Sequence, residues 1–300
     1  MADTKIALLP DRGVVSVTGV DARKLLQGVI TNDMDVIDTQ SALYGGLLTP
    51  QGKILFDFFV VKAPDGYCLE TSRAHAAGLA ERLKMYKLRA AAEIADVSAD
   101  YTVAAIWGGA YAPRARDPAP IWFADPRLPD MGYRELATLR SDWALGGEAS
   151  DSATQEEYHA HRIGLGVPES GKDFGLGDAF PHEALFDQLH GVSFEKGCYV
   201  GQEVVSRMQN RGTARRRIVP VTADDVALPE SGTAIKAGGV EIGTLGSTAG
   251  ARGLAMIRLD RAAEFSAKGE PLRAADVELR IKLPPWATFS LEPKAAGTGA

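Results

Sequence analysis

The sequence predicts an α+β protein of several subdomains whose last third is a small antiparallel β-barrel. Strand and helix patterns alternate through Trp107 without the regular strand–helix–strand cadence of a parallel, doubly wound sheet. Beyond about residue 213 the chain breaks into short strands separated by glycine turns such as Gly238-Gly239. A chain of 300 residues, 45% hydrophobic and 24% charged, can bury a large core and more often forms two or three domains than one.

The elements follow in order. Apolar runs predict strands over 6–9 and 13–17, then a helix over 22–28 with Asp21 as its cap. Strands over 42–48 and 54–62 come next, and Cys68 sits in the alternating pattern 66–71, which makes it a packing residue. A second helix covers 74–88, with Leu79, Leu83 and Tyr86 on one face, followed by strands over 91–97 and 102–107. The Pro/Arg/Asp-rich stretch 112–120 reads as a subdomain boundary. Thr154 and Glu157 form a capping box that opens a helix ending near Gly164. A long glycine-rich loop then runs through Phe180-Pro181-His182-Glu183, where Glu183 could cap a short helix over 184–189. Barrel strands are expected over 217–222, 233–237, 240–245, 253–259, 271–273 and 277–281. The expected organisation is therefore two α+β subdomains within 1–212 meeting near 112–120, a barrel over 213–285 and a disordered tail over 286–300.

Composition excludes several function classes. No stretch has the eighteen or more uninterrupted apolar residues of a membrane helix, and the opening Met1-Ala2-Asp3-Thr4-Lys5 lacks a secretory core, so a cytoplasmic protein without a membrane partner is expected. A net charge of −6 argues against nucleic acid as the partner. Two cysteines build no disulfide framework and no intrachain iron–sulfur or zinc site, which takes four ligands, mostly thiolates. Gly166 to Lys172 has P-loop spacing, but Asp173 stands where a Ser or Thr should hold Mg²⁺, and no dinucleotide fingerprint follows a strand. Neither a nucleotidase nor a dehydrogenase is expected. His159 and His161, two apart on a helix, point to different faces and make no metal pair.

The chemistry concentrates in Lys196-Gly197-Cys198-Tyr199-Val200-Gly201-Gln202-Glu203. A cysteine flanked by glycines precedes a helix-like run over 202–209, and the six cations Lys196, Arg207, Arg211, Arg215, Arg216 and Arg217 face the single acid Glu203 within this stretch. Such surroundings favour a thiolate. Cys198 is the expected reactive or soft-metal-liganding group, able to share a metal with a partner. Lys196 is the second expected catalytic residue, raising the local positive potential. Gly197 and Gly201 shape the turn, Tyr199 packs or hydrogen-bonds, and Gln202 and Glu203 anchor the helix start.

This octet, with Phe180-Pro181-His182-Glu183-Ala184, Gly191-Val192-Ser193-Phe194, Leu26-Gln27-Gly28-Val29-Ile30-Thr31-Asn32-Asp33 and Leu48-Thr49-Pro50-Gln51-Gly52-Lys53-Ile54-Leu55-Phe56-Asp57, resembles the signature of the YgfZ family. Those are folate-binding proteins similar to the T-protein (aminomethyltransferase) of the glycine cleavage system, implicated in assembling or repairing iron–sulfur clusters. The resemblance implies a T-protein-like folate-binding fold, tetrahydrofolate or another reduced folate as cofactor, and iron–sulfur client or assembly proteins as partners. A pterin donates from N3 and its 2-amino group to a carboxylate, and the glutamate tail wants cations. Motif position then puts Glu183 and Asp57 as acids, Arg162 or the 207–217 arginines for the tail, and Asn32 as a polar contact. The T-protein carries two adjacent acids where this chain has Phe56-Asp57, and Phe56 cannot move a proton. Aminomethyl transfer is accordingly the second reading, and a non-catalytic folate-binding docking scaffold the third.

Overall fold

The structure, a computed structural model, describes residues 3–109, 119–138, 153–212 and 214–291. Two compact bodies make it up: residues 1–158 with 189–204, and residues 159–188 with 205–300. The expected subdomain boundary at 112–120 falls mostly outside the described residues.

The first body contains two antiparallel sheets. Strands β1 (Lys5–Leu8), β2 (Arg12–Thr18), β3 (Ala42–Leu48), β4 (Ile54–Ala63), β5 (Gly66–Ser72), β6 (Glu93–Asp96), β7 (Tyr101–Trp107), β8 (Ile121–Ala124) and β9 (Tyr133–Thr138) arrange as β3-β4-β5-β2-β6 and β1-β7-β9-β8. Helices α1 (Ala22–Val29) and α2 (Arg73–Lys87) belong to the core of the five-stranded sheet, where Leu25, Leu26, Leu79 and Leu83 join Val15, Val17, Phe58, Val60 and Leu69. Burying such a side chain contributes about 1.5–3 kcal/mol. Cys68 lies in this sheet, 2% exposed, as its alternating pattern predicts.

Strands β8 and β9 have no counterpart in the sequence expectations. β9 reads Tyr-Arg-Glu-Leu-Ala-Thr, and a charged pair in mid-strand looks exposed, yet Arg134 and Glu135 are both buried.

In the second body, β10 (Arg216–Thr222), β11 (Ala234–Ala237), β12 (Val240–Ala249), β13 (Arg252–Arg258), β14 (Leu272–Ala274) and β15 (Val277–Ile281) close a six-stranded antiparallel barrel in the order β10-β13-β12-β11-β14-β15. Helix α5 (Leu259–Ala267), of which the sequence reading places only Leu259, as the last residue of a strand, sets Leu259, Ala262 and Phe265 against the barrel core. Residues 159–188 and 205–212 group with the barrel rather than with the N-terminal region expected to extend to 212. The expected helix over 184–189 is a series of turns in which Leu185 takes φ 64°.

The tail expectation is corrected for its described part. The Trp286 indole donates to the Leu165 carbonyl (3.0 Å), Arg217 lies 4.7 Å above the Phe289 ring, and Leu291 packs on the barrel core. Residues 292–300 lie outside the described residues.

Two helices join segments of the two bodies in sequence: α3 (Gln155–Leu165) and α4 (Gln202–Arg211). The capping box is present at α3, where Glu157 accepts from the Thr154 amide and Thr154 Oγ1 accepts from the Glu157 amide.

Candidate functional site

The cysteine loop, residues 189–201, has no regular secondary structure, yet it is bound to the first body along its length. The Asn32 amide donates to the carbonyls of Tyr44 (2.7 Å) and His190 (2.6 Å), and its oxygen accepts from the Asp33 amide (2.8 Å). The Thr31 hydroxyl donates to the Gly191 carbonyl (2.6 Å) while accepting from the Gly46 amide, and the Ser193 amide donates back to the Thr31 carbonyl (3.0 Å). Asn32 is thus a loop anchor whose groups are committed. The structure does not present it as a folate contact.

Lys196 is likewise corrected. It is 6% exposed, and its ammonium donates to the carbonyls of Gln27 (2.8 Å), Ile30 (2.9 Å) and Asn32 (2.8 Å). Gln27 belongs to the last turn of α1 and Ile30 caps it, so the cation sits where helix carbonyls lack intrahelical partners and the dipole is negative. Its charge serves the loop's attachment, and the Tyr199 ring lies 5.3 Å from it. Tyr199 is 8% exposed, and burial pushes its hydroxyl up to about 12.

Burial also lowers the Lys196 amine to about 8 from 10.5, against a small opposing pull from Asp33. Between these values the unfolded chain keeps a proton that the folded chain has released, so stability rises with pH across that window. The melting temperature of the wild type relative to Lys196→Met should therefore climb between pH 7.5 and pH 10. A flat difference would contradict the desolvation.

Gly201 fixes the other end of the loop. It has φ +82°, and a Cβ there would stand 2.5 Å from the Thr49 carbonyl oxygen and 3.1 Å from the Gly52 Cα. Gly52, at φ +79°, in turn leaves room for Val204. The hairpin turn between β3 and β4 is thus the seat of the cysteine turn, which brings three of the sequence motifs together. Gly197 differs: its φ is not positive and an added Cβ meets nothing within 4 Å, so it is not required by shape. Between the buried Lys196 and the buried Tyr199, Cys198 is exposed. Burial raises the pKa of the Cys68 thiol. Gln202 opens α4 with its side chain 3.5 Å from the Lys196 carbonyl, and Glu203 is exposed in the first turn.

A buried charge network in the same body was not foreseen. Glu70, fully buried, accepts from Arg12 Nε (2.5 Å) and Arg134 Nη1 (2.9 and 3.1 Å). Arg134 also reaches Asp125 (3.4 Å) and the Tyr158 hydroxyl, and Arg127 grips Asp125 through two side-chain bonds (2.9 and 2.7 Å). Arg127 and Arg134 each stack on the Phe59 ring, at 4.8 and 4.6 Å. Burial alone would raise the Asp125 carboxyl, but Arg127 and Arg134 outweigh it and hold it low. Asp57, 5% exposed, accepts from the Tyr44 hydroxyl (3.2 Å). Burial and then Asp57 push the Tyr44 hydroxyl well above its ordinary range. The polar residues spaced along β5 and β9 were the available signal: Glu70 and Arg134 interrupt otherwise apolar strand patterns.

The remaining expected ligand residues lie in the second body, already committed. Arg162 is 1% exposed and donates to Asp173 (2.7 Å), the Val167 carbonyl (3.1 Å) and Ser247 (2.7 Å). Asp173 also accepts from the amides of Glu169 and Ser247, so the acid that spoils the P-loop pattern ties its loop to β12. Glu183 takes Arg216 through both oxygens (2.8 and 3.1 Å) and the Phe180 amide (2.9 Å). Arg217 pairs with Asp187 (2.8 Å). Arg162 and Glu183 hold the barrel to its preceding segment. Arg207 is exposed on α4.

These features define a T-protein-like fold with a C-terminal barrel and a single presented cysteine. Residues 11–138 match the GCVT N-terminal domain and residues 215–289 the CAF17 C-terminal β-barrel domain. The crystal structure of the glycine cleavage system aminomethyltransferase T from Bartonella henselae superposes with a TM-score of 0.74 at 15% identity, covering 95% of this chain and 87% of that one, a likeness of fold. Among curated relatives, the "iron-sulfur cluster assembly factor IBA57 homolog, mitochondrial" of Pyricularia oryzae is 32% identical over 298 residues, 89% of this chain and 75% of that protein. The Mycosarcoma maydis homolog of the same name is 36% identical over 236 residues, 73% of this chain, and the Dictyostelium discoideum one 31% over 257 residues, 71% of this chain. The chain belongs to the YgfZ/CAF17/IBA57 family of T-protein-like proteins. It spans 57% of the length of the Mycosarcoma maydis relative and 61% of the Dictyostelium discoideum one. The relatives' names carry the word mitochondrial, which overturns the cytoplasmic placement expected from composition.

Proposed function

We propose that this protein supports the assembly or repair of iron–sulfur clusters in client enzymes, as a YgfZ-type folate-binding factor whose working group is Cys198. One observation carries the reading: the only exposed cysteine is displayed on a loop held at both ends, while Cys68 is buried in a strand. The names of the relatives, iron–sulfur cluster assembly factors, support the same reading.

The chemistry follows from there being one available thiol. A thiolate is both a nucleophile and a soft-metal ligand. With two cysteines in the whole chain, a cluster of its own is out of reach, since such clusters take about four ligands. Cys198 instead supplies one ligand to a cluster shared with a client or assembly protein, or as thiolate attacks a partner's disulfide, forming a mixed disulfide and releasing the other sulfur as a thiolate. The cluster is cargo.

A reduced folate such as tetrahydrofolate, when bound, supplies a carrier for one-carbon units. Of the four residues assigned to it by motif, Asp57 fits. It is a buried carboxylate that accepts from the Tyr44 hydroxyl, and a carboxylate is the acceptor that a pterin's paired donors require. Asn32, Arg162 and Glu183 are spent on the protein's own contacts. Aminomethyl transfer is disfavoured at Phe56, which packs against the core of the five-stranded sheet where the T-protein carries an acid.

Cells deprived of this protein should lose activity in several iron–sulfur enzymes, and purified protein should give binding heat with tetrahydrofolate but none with ATP or NAD. Supplied with tetrahydrofolate and an aminomethyl-lipoyl carrier, it should release no ammonia above background. Undiminished iron–sulfur enzymes would sink the assembly role, absence of tetrahydrofolate binding the cofactor, and robust ammonia release would restore the transferase reading.

A further inference from the structure

We propose that Lys196 is a positioning residue for Cys198: its ammonium, seated among the carbonyl oxygens of Gln27, Ile30 and Asn32, sets the loop that displays the thiol, and only an ammonium fits that seat. The inference rests on the reading of Cys198 as the working group and goes beyond it by assigning how the thiol is placed.

Three N–H donors on one tetrahedral nitrogen meet three carbonyl oxygens at 2.8–2.9 Å, all from the segment that ends α1. An arginine presents a planar fork of donors spread over several nitrogens, which cannot converge on three oxygens around a point. A methionine of similar length would leave those carbonyls without the donors that the ammonium supplies. Cys198 is two residues away and makes none of these bonds. Its position is inherited from the anchors on either side, Lys196 and Tyr199 before and after it, with the Gly201 backbone seated at the hairpin. The Lys196 amide itself donates to Ser193 Oγ (3.1 Å), and the Ser193 amide donates to the Thr31 carbonyl, so the clamp and the upstream anchor form one connected unit. The Lys196 ammonium is buried and spent on three carbonyls of the body, whereas the thiol is exposed.

Two measurements test the assignment. In the wild-type protein at pH 6, well below the value of about 8 to which burial lowers this amine, nitrogen-15 NMR should show a slowly exchanging Lys196 ammonium with through-hydrogen-bond couplings to the carbonyl carbons of residues 27, 30 and 32. A freely rotating, rapidly exchanging ammonium would overturn the proposal, whether or not any variant folds. Second, Lys196→Met and Lys196→Arg should each speed amide exchange over residues 190–201 at least tenfold while β4 and β5 amides stay protected, and both should lose iron–sulfur enzyme rescue per folded molecule. Lys24→Met, on the exposed side of α1, should match the wild type in both readouts. Full rescue and unchanged loop exchange in Lys196→Arg would refute the ammonium requirement. Fast loop exchange with full rescue would keep the clamp but remove the functional role of Cys198 placement, which separates failure of this inference from failure of the proposed function.

Discussion

Replacing Arg134 by methionine should destabilise the protein by about 3–5 kcal/mol, because it strands charges in the core of the first body. Glu70 is fully buried and would keep only Arg12 of its two guanidinium partners, and Asp125 would lose one of its two. The Tyr158 hydroxyl and the Phe59 face would lose the same cation. A buried pair is weak evidence for net stability, but breaking one is costly, since the orphaned charge stays dehydrated. Thermal unfolding should show a fall of roughly 10 °C. Combining Arg134→Met with Glu70→Gln should cost less than the sum of the two single changes, as residues of one network couple by about 0.5–3 kcal/mol. Strict additivity would mean that the network does not act as a unit.

Gly201→Ala should damage function more than stability. Its φ of +82° and a Cβ placed 2.5 Å from the Thr49 oxygen make both conformation and space hostile to a side chain. The strain costs about 1–3 kcal/mol, and the obstacle is backbone, which cannot swing aside. The turn should lift from the β3–β4 hairpin, raising amide exchange over 197–204 and abolishing rescue of iron–sulfur enzymes. Gly197→Ala, with open space and no positive φ, should stay within about 0.5 kcal/mol of the wild type. Equal effects at the two glycines would show that the seat at the hairpin is not what holds the loop.

Much of this fold is legible in the chain where side chains obey the periodicity of their element. β3 at Ala42–Leu48 and β15 at Val277–Ile281 follow from apolar runs bounded by turn residues, and the barrel from its spacing of glycine turns. The pattern fails where burial is polar. β9 hides because Arg134 and Glu135 look like surface residues until Glu70, 64 residues away in sequence, and the nearer Asp125 supply partners for the arginine. α5 hides because it follows β13 without a breaker.

The site divides in the same way. The motif around Cys198 is visible as local sequence, and the structure joins it to the 26–33 and 48–53 segments as neighbours. Roles are not visible, because they depend on where a long side chain ends. Lys196 reads as a source of field for a thiolate and proves to be a clamp on a helix end. Arg162 and Glu183 read as ligand groups and prove to be fasteners of the barrel's preceding segment, spent on Asp173, Ser247 and Arg216. Charged residues named from sequence as ligand contacts carry a competing explanation in a distant partner, and only the fold supplies that partner.

The central claim is that the presented thiol does the work, and the most direct measurement is rescue by Cys198→Ala in cells lacking the wild-type protein. Removing a small, exposed side chain leaves every anchor of the loop in place, so the variant should fold with an unchanged melting temperature and bind tetrahydrofolate as the wild type does. Iron–sulfur enzyme activities should nevertheless remain at the level of the deletion strain, because alanine is neither nucleophile nor soft-metal ligand. Full restoration of those activities by Cys198→Ala would contradict the account and leave the loop as a docking surface in which the sulfur has no part.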